Sequence, residues 1–402
     1  MTTSDSVQSC PFRHDEALDV DPFMTRLRKE APIARVRMPY GEGECWLVTR
    51  YEDVRTVTSD RRFSRAALIG RDFPRITPMP IAQSEAINLM DPPALNRLRR
   101  LVVKAFSNAQ VDELRPHTQR TVDELLDNMV EDGAPADVAH HLAAQLPLTT
   151  ICELLDVPWG DRPKLRGWAM AMMSMAAADK TTAAEAKAGL RAYFAELTAE
   201  RRRRPGDDLL SALATARVGD DVLDEHEMAV MGMLLLVTGH DTSTYMICNI
   251  IYTLLTHPER LAQLRAQPDL LPQAIEELLR YIPFRQGVGI PRVALEDVEF
   301  DGVTIKAGDT VHVSYLTANR DELAYDRADE LDFERTNPAP HMTFGYGMHH
   351  CLGAHLARME LQTAIGTLLT RFPELRLAVP AEEVKWNTVS IWRYPLALPV
   401  AW

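Results

Sequence analysis

The chain has 402 residues, 46% of them apolar and 25% charged, and a formal net charge of −13. That balance gives a globular chain large enough to enclose a cofactor, while the acidic excess argues against nucleic acid, which demands a basic face. Cys10, Cys45, Cys152, Cys248 and Cys351 are scattered and lack C-x-x-C spacing, which excludes a disulfide framework and a zinc site of clustered thiolates.

In chain order, the N-terminus M-T-T-S-D-S-V-Q-S-C has neither the basic start nor the apolar core of a signal peptide, so a cytoplasmic protein is expected. No Gly/Ser linker, low-complexity run or internal repeat divides residues 1–402, and one mainly helical unit with a small β portion is expected. Cys45 to Tyr51 alternates as a strand does, within a β-rich patch near 33–51. Prolines and a lack of periodicity predict long irregular loops from Arg62 to Pro93.

Helical periodicity dominates from about 97 to 292. Within it, Asp224 and Glu227 form a capping-box-like pair, opening a helix that runs to about Thr256, a rod of about 50 Å at the usual rise per residue. Both flanks are apolar, yet the middle reads T-G-H-D-T-S-T, Thr238 to Thr244. Polar groups interrupting a buried helix are better explained by a ligand than by stability. His240 in that stretch is expected to be exposed or hydrogen-bonded. Arg201 to Arg204 reads as a solvated helix end. The longest apolar run, Met228 to Val237, is too short to span a membrane. A second β-rich patch near 293–315 contains a hairpin turning at Asp301 and Gly302.

F-G-Y-G-M-H-H-C-L-G, Phe344 to Gly353, follows. A cysteine is a strong ligand only as thiolate, and a buried thiolate needs donors or a metal. Gly345, Gly347 and Gly353 let backbone N–H groups approach Cys351, and the helix that begins at Leu352 presents its positive end to the same sulfur. The pattern suits a metal that takes one protein ligand. The rival is a zinc-stabilised protein using His349, His350 and His355, but adjacent histidines chelate one metal poorly and the glycines are left unexplained.

Phe344, Gly345, Gly347, His349, Cys351 and Gly353 together resemble the haem-binding signature of the cytochrome P450 superfamily. G-H-D-T-S within the central helix, E-L-L-R from Glu277 to Arg280, and F-E-R ahead of the cysteine loop are similar to three further motifs of that family, in the same order. The resemblance implies a cytochrome P450-like fold of the soluble bacterial kind. It implies haem b (iron protoporphyrin IX), dioxygen, and electrons from NAD(P)H. With no G-x-G-x-x-G fingerprint and no cysteine cluster in the chain, those electrons come from outside, through a ferredoxin and a ferredoxin reductase.

Carried over residue by residue, the resemblance makes Cys351 the axial ligand of the haem iron. Arg99, Arg292 and His349 hold the propionates, and Phe344, Gly345 and Gly353 complete the cofactor site. Asp241 and Thr242 manage protons. Glu277 and Arg280 form a structural pair, with Arg335 or His341 as a third partner. The chain departs from the family at Leu95, where a histidine usually supplies a propionate donor, and Arg97 or Arg100 is expected to compensate. Thr238 and Ser243 add hydroxyls to the central motif.

By the same analogy the loop Ile69 to Leu89 and Met170, Met173, Val237, Thr238, Gln286, Val288, Gly289, Ile290 and Ile391 face the substrate. The implied reaction is haem-dependent oxidation of a small to medium-sized apolar natural product of secondary metabolism, by hydroxylation, epoxidation or oxidative C–C or C–N coupling. A haem-thiolate sensor or carrier that turns nothing over is the alternative. Arg97 and Arg100, with the segment around His350 and His355, are the expected ferredoxin-docking charges.

Overall fold

In the computed structural model, residues 8–402 are described except 10–16, 77–85, 107, 174–179, 285–287, 301, 337–338 and 388–390. Asp224 opens the central helical region as its sequence demands. Its carboxylate accepts the Glu227 backbone N–H at 2.7 Å, and the Glu227 carboxylate accepts the Asp224 N–H at 2.9 Å. Two donors that a helix start leaves orphaned are thus satisfied reciprocally.

The single rod expected from Asp224 to Thr256 is not formed. The upstream helix Glu225–Gly239 ends at His240, and a downstream helix, Asp241–Thr256, begins there. The cause lies in the polar insertion. The Thr238 hydroxyl donates to the Leu234 carbonyl at 2.8 Å, His240 Nδ1 to the Leu236 carbonyl at 2.8 Å, and the Thr242 hydroxyl to the Thr238 carbonyl at 3.3 Å. Carbonyls engaged by side chains are drawn off the backbone ladder, and a helix bends or breaks where that happens. His240 is accordingly hydrogen-bonded and, at 3% exposure, buried.

Both helices are sheathed in apolar side chains. Leu236 belongs to a cluster with Ile151 and Phe194. Ile250 belongs to another with Leu278 of the helix Leu271–Tyr281 and Ile365 of the helix Ala354–Arg371. Strands from the two β-rich patches join with Gln8–Ser9 and Phe63–Ser64 in one sheet of six short strands, in the order Gln8–Ser9, Ile33–Arg37, Cys45–Val48, Thr310–Val313, Arg292–Ala294 and Phe63–Ser64. Cys45–Val48 pairs antiparallel with the strand before it and parallel with Thr310–Val313. Arg292–Ala294 pairs antiparallel with Thr310–Val313, Arg292 opposite Val311, which holds Arg292 in the buried interior.

Val298–Phe300 and Val303–Ile305 form the predicted hairpin, with Gly302 at φ 84°; Asp301 lies outside the described residues. Between Arg62 and Pro93 the described backbone is mostly irregular, with a two-residue strand and 3-10 turns at Ala66–Leu68 and Ile87–Leu89. Arg201 is not solvated as expected: its side chain is 12% exposed and pairs with Asp156 at 2.6 Å, whereas Arg203 and Arg204 are exposed. Among the described residues no helix is long and apolar enough to cross a membrane.

Candidate active site

The break between the two central helices faces the loop Phe344–Gly353 across an internal cavity. Gly345 and Gly347 adopt φ of +73° and +70°, and a Cβ at Gly347 would lie 2.5 Å from the Thr58 carbonyl oxygen, so only glycine lets the loop press on the helix Tyr51–Ser59. The Cys351 N–H donates to the Phe344 carbonyl at 2.9 Å, which closes the loop on itself. Gly353 caps the helix Ala354–Arg371 and directs its N–H at the Cys351 sulfur. A Cβ at Gly353 would meet no atom within 4 Å.

Cys351 has accessible surface, but that surface opens on the cavity, and protein surrounds the thiol elsewhere. Burial raises its pKa, against the opposing pulls of the Gly353 N–H and the Arg99 and Arg358 guanidinium groups. The protein alone therefore favours the thiol, and a bound metal cation is what would make it a thiolate.

Cations crowd one edge of the cavity. Burial, then the guanidinium groups of Arg65, Arg292 and Arg99, push the His349 imidazole down to about 2. Arg292 is 1% exposed; its Nη1 reaches only the Ile290 carbonyl, at 3.4 Å, and its Nη2 is buried without an acceptor. Burial lowers the Arg99 pKa, and its Nη1 donates to the His350 carbonyl at 2.9 Å. A buried guanidinium without an acceptor is costly unless an anion arrives. Arg292 in that state, with Arg65 and Arg99 beside the same imidazole, fits the paired carboxylates of haem, which would bring both charge and acceptors.

Arg65 was missed from sequence, since nothing local to an irregular segment marks it as part of this edge. Leu95 is fully buried in an apolar cluster. Arg97 does not compensate for it: it bonds Asp221 at 2.8 Å, the Val222 carbonyl at 2.8 Å and the Glu227 carboxylate, and so is committed to the start of the upstream helix. Arg100 is exposed.

On the opposite wall Thr238 and Thr242 line the cavity. Asp241 does not line it; its Oδ1 lies 3.2 Å from Nε2 of the buried His240. A different carboxyl stands on the cavity side. Glu360, in the helix Ala354–Arg371, is 1% exposed, and neither oxygen has an aligned hydrogen bond. Burial pushes it up to about 8, opposed by the neighbouring Ser243 and Thr150 hydroxyls, of which Thr150 spends its proton on the Leu146 carbonyl. Glu360 is thus largely an uncharged acid at neutral pH. Its sequence signal was its place in the buried stripe, four residues after Leu356 and four before Ala364.

Of the substrate-facing expectations, Thr238, Val288 and Ile290 line the cavity. Val237, Gly289 and Ile391 are buried without lining it; a Cβ at Gly289 would sit 2.8 Å from the Tyr315 ring. Met170 is misplaced by the analogy. Leu165 and Ala169 form the buried face of the helix Arg162–Met173, and Met170, one residue further round, is 56% exposed. Gln286, the Met173 side chain and residues 77–85 of the expected loop lie outside the described residues. Unforeseen is an aromatic wall: Phe284 and Trp392 both line the cavity, stacked with centroids 5.2 Å apart.

Below the loop, Glu277 and Arg280 are buried and paired through two bonds of 2.8 Å. Arg335 is the third partner, at 3.1 Å from Glu277. His341 instead meets Glu276 at 3.1 Å. Burial alone would raise Glu276, but hydrogen bonds from His341 and Arg358 outweigh it and hold the carboxyl at about 2. Arg358 in turn lies 4.6 Å from the Phe344 ring centroid. The zinc alternative lacks its ligands: among the described residues no three His, Cys, Asp or Glu side chains converge, and His355 turns to Asp112 at 3.4 Å.

The sequence model of the cytochrome P450 family matches residues 171–383. Nocardicin C N-oxygenase of Nocardia uniformis subsp. tsuyamanensis is 47% identical over 403 residues, with 100% of each chain covered. Mycinamicin IV hydroxylase/epoxidase of Micromonospora griseorubida is 44% identical over 400 residues, again with 100% of each covered. Among solved structures, cytochrome P450mel 107F1 with biaryl coupling reactivity superposes with a TM-score of 0.95 at 64% identity, over 99% of this chain and 100% of that one. A thiol-bearing loop below an apolar cavity, a cationic edge that fits haem, and relatives matched end to end converge on one conclusion: the chain belongs to the cytochrome P450 family, as a haem-dependent monooxygenase that uses dioxygen and NAD(P)H-derived electrons delivered by redox partners.

Proposed function

We propose that Cys351 is the axial ligand of the haem iron and that Arg99, Arg292 and His349 hold the propionates, with Arg65 standing in for the donor lost at Leu95. Phe344, Gly345 and Gly353 line the same cavity and would complete the haem site, and the buried Glu277–Arg280–Arg335 network would support that loop. The observation that carries this reading is the coincidence, at one cavity, of a thiol that burial keeps protonated and the buried Arg292 guanidinium, whose Nη2 has no acceptor, beside the further cations Arg65 and Arg99. Haem, when bound, supplies the activation of dioxygen. This chain's residues bind, orient and move protons: Thr242 holds a hydroxyl proton at the cavity wall, and Asp241, its neighbour in the chain, relays protons to it from outside the cavity lining.

The substrate is a small to medium-sized apolar natural product, and the reaction hydroxylation, epoxidation or oxidative coupling. The flat Phe284–Trp392 wall and the biaryl coupling reactivity of the 64% identical structure favour an aromatic substrate and coupling. A ferredoxin and its reductase in the cytoplasm deliver the electrons, docking near the exposed Arg100 and His350 beneath Cys351. The test is the reduced, carbon monoxide-bound spectrum. The wild type is expected to show the red-shifted band of thiolate-ligated haem, and Cys351→Ala to lose it while still binding haem weakly; an unchanged band in the variant overturns the ligand assignment.

A further inference from the structure

Next to the cysteine loop lies an ion pair that the Glu277–Arg280 network does not include. Arg358, on the helix Ala354–Arg371, meets Glu276 with its fork: Nε donates to Oε1 at 2.6 Å and Nη2 to Oε2 at 2.8 Å. Its Nη1 donates to the Ala354 carbonyl at 3.4 Å, at the start of the helix that follows Cys351. The guanidinium carbon stands over the Phe344 ring, 4.6 Å from its centroid, and the His341 ring lies 5.6 Å from the same centroid. Phe344 is the residue whose carbonyl accepts the Cys351 N–H at 2.9 Å. Arg358 is thereby held against both ends of the segment that carries the thiol.

The carboxylate is fixed in turn. Thr343 N–H donates to His341 Nδ1 at 3.3 Å, so Nε2 carries the ring's hydrogen and donates to Glu276 Oε2 at 3.1 Å. With both oxygens engaged by a planar fork and one by an imidazole, the pair has a single geometry. Its charges matter to the sulfur. A cation near Cys351 favours negative charge on that atom and competes for the electrons it gives to a metal, whereas a carboxylate locked on the cation offsets the pull. The side chains of Arg358 and Glu276 are 29% and 40% exposed, so solvent and salt screen the pair only in part.

We propose that Glu276 is a positioning residue of the monooxygenase reaction: it pins the Arg358 guanidinium on the Phe344 ring and offsets its charge, and so sets how strongly the Cys351 sulfur donates to the haem iron. This rests on the reading of Cys351 as the axial ligand. Neither Glu276 nor Arg358 lines the cavity, so the pair acts through the cysteine loop.

The experiment is a spectroelectrochemical titration of the substrate-free holoprotein at low ionic strength, with Glu276→Gln, Arg358→Gln and the double variant. Reduction adds one electron to the haem and its sulfur ligand, so an uncompensated cation favours the ferrous form and an uncompensated anion the ferric. Glu276→Gln is expected to raise the ferrous-to-ferric ratio at a fixed potential several-fold, up to about tenfold, which is ~59 mV for one electron. Arg358→Gln should lower that ratio, and the double variant should return close to wild type. Arg358→Lys, which keeps the charge and loses the fork, should lie nearer wild type than Arg358→Gln. Shifts of one sign in both single variants, or no shift in either, overturn the proposal, because a brace without an electrostatic role disturbs the loop alike from either end. If Glu276→Gln takes up no haem, Arg358→Gln against Arg358→Lys decides alone, equal potentials overturning the proposal; if Arg358→Gln takes up none, Glu276→Gln against Glu276→Asp decides in the same way. The carbon monoxide complex of the reduced wild type separates this inference from the one beneath it. A wild type without the red-shifted band brings down the Cys351 assignment and this proposal together, whereas the band with unmoved potentials brings down the proposal alone.

Discussion

Two buried arginine clusters of this protein differ in one respect. Around Glu277, Arg280 gives bonds to the Glu277 carboxylate and to the carbonyls of Asn319, Ala328 and Glu330, and Arg335 adds its own to Glu277. The carboxylate also takes the Asp332 N–H at 2.9 Å. That cluster is complete within the chain. Around His349, Arg292 is as deeply buried as Arg280, yet its Nη2 has no acceptor, and burial together with the surrounding cations lowers the pKa of the nearby histidine. A fold does not hold such a deficit for stability's sake. Burial with every bond made marks structure; burial with bonds withheld marks the place of a ligand.

The sharpest break of this comparison is Glu277→Ala. It leaves two buried guanidinium groups without their carboxylate, and removing one partner of a buried pair costs about 3–5 kcal/mol. Denaturant unfolding of the protein is expected to shift by that much, with haem loss following from unfolding. A shift no larger than a surface pair gives would show the network to be ornamental.

Arg292→Gln should do the reverse. The apoprotein is expected to be as stable as wild type or more so, because an unsatisfied charge leaves the interior. Haem should escape about ten- to a hundredfold faster, corresponding to the roughly 1.5–3 kcal/mol of a charge-assisted hydrogen bond. Transfer of haem to apomyoglobin measures the rate. A destabilised apoprotein with unchanged haem loss would place Arg292 in the structural class beside Arg280.

The sequence made some of this plain and concealed the rest, for a physical reason. The cysteine loop is legible because its chemistry is local: glycines, thiol and helix start lie within ten positions, Phe344 to Gly353. The Glu277–Arg280 pair is legible for the same reason, being one helical turn apart. Arg65, Glu360 and the Phe284–Trp392 wall arrive from distant segments, and only the folded chain brings them together. The helix break at His240 was half legible. Periodicity continues on both flanks, so a period-based reading joins them, whereas the break depends on which carbonyls the Thr238, His240 and Thr242 side chains take. Asp241 sits in the expected motif, but which way it faces follows from that break. Met170 went wrong because a run of methionines does not say which of them is on the buried face.

The smallest effect separates two arginines that the sequence could not tell apart. Arg97 and Arg100 both flank Arg99, and both were candidates for steering an acidic ferredoxin. Arg97 is committed to Asp221 and Glu227, which hold its guanidinium further above its ordinary pKa, whereas Arg100 is exposed and has no ion-pair partner among the described residues. Charges at the rim of an interface act mainly on association rate. Arg100→Glu should therefore slow reduction by the proposed ferredoxin a few-fold at low ionic strength. The difference should vanish near 1 M salt, where the screening length is about 3 Å. Arg97→Glu should instead set three carboxylates against one another at the capping box of the upstream helix, lowering the thermal midpoint with little effect on the salt dependence of reduction. Stopped-flow reduction across a salt series distinguishes them. If Arg97→Glu slows reduction at low salt without loss of stability, its ion pairs are loose enough in solution to release the guanidinium to a partner, and Arg97 passes from the completed class of arginines to the available one.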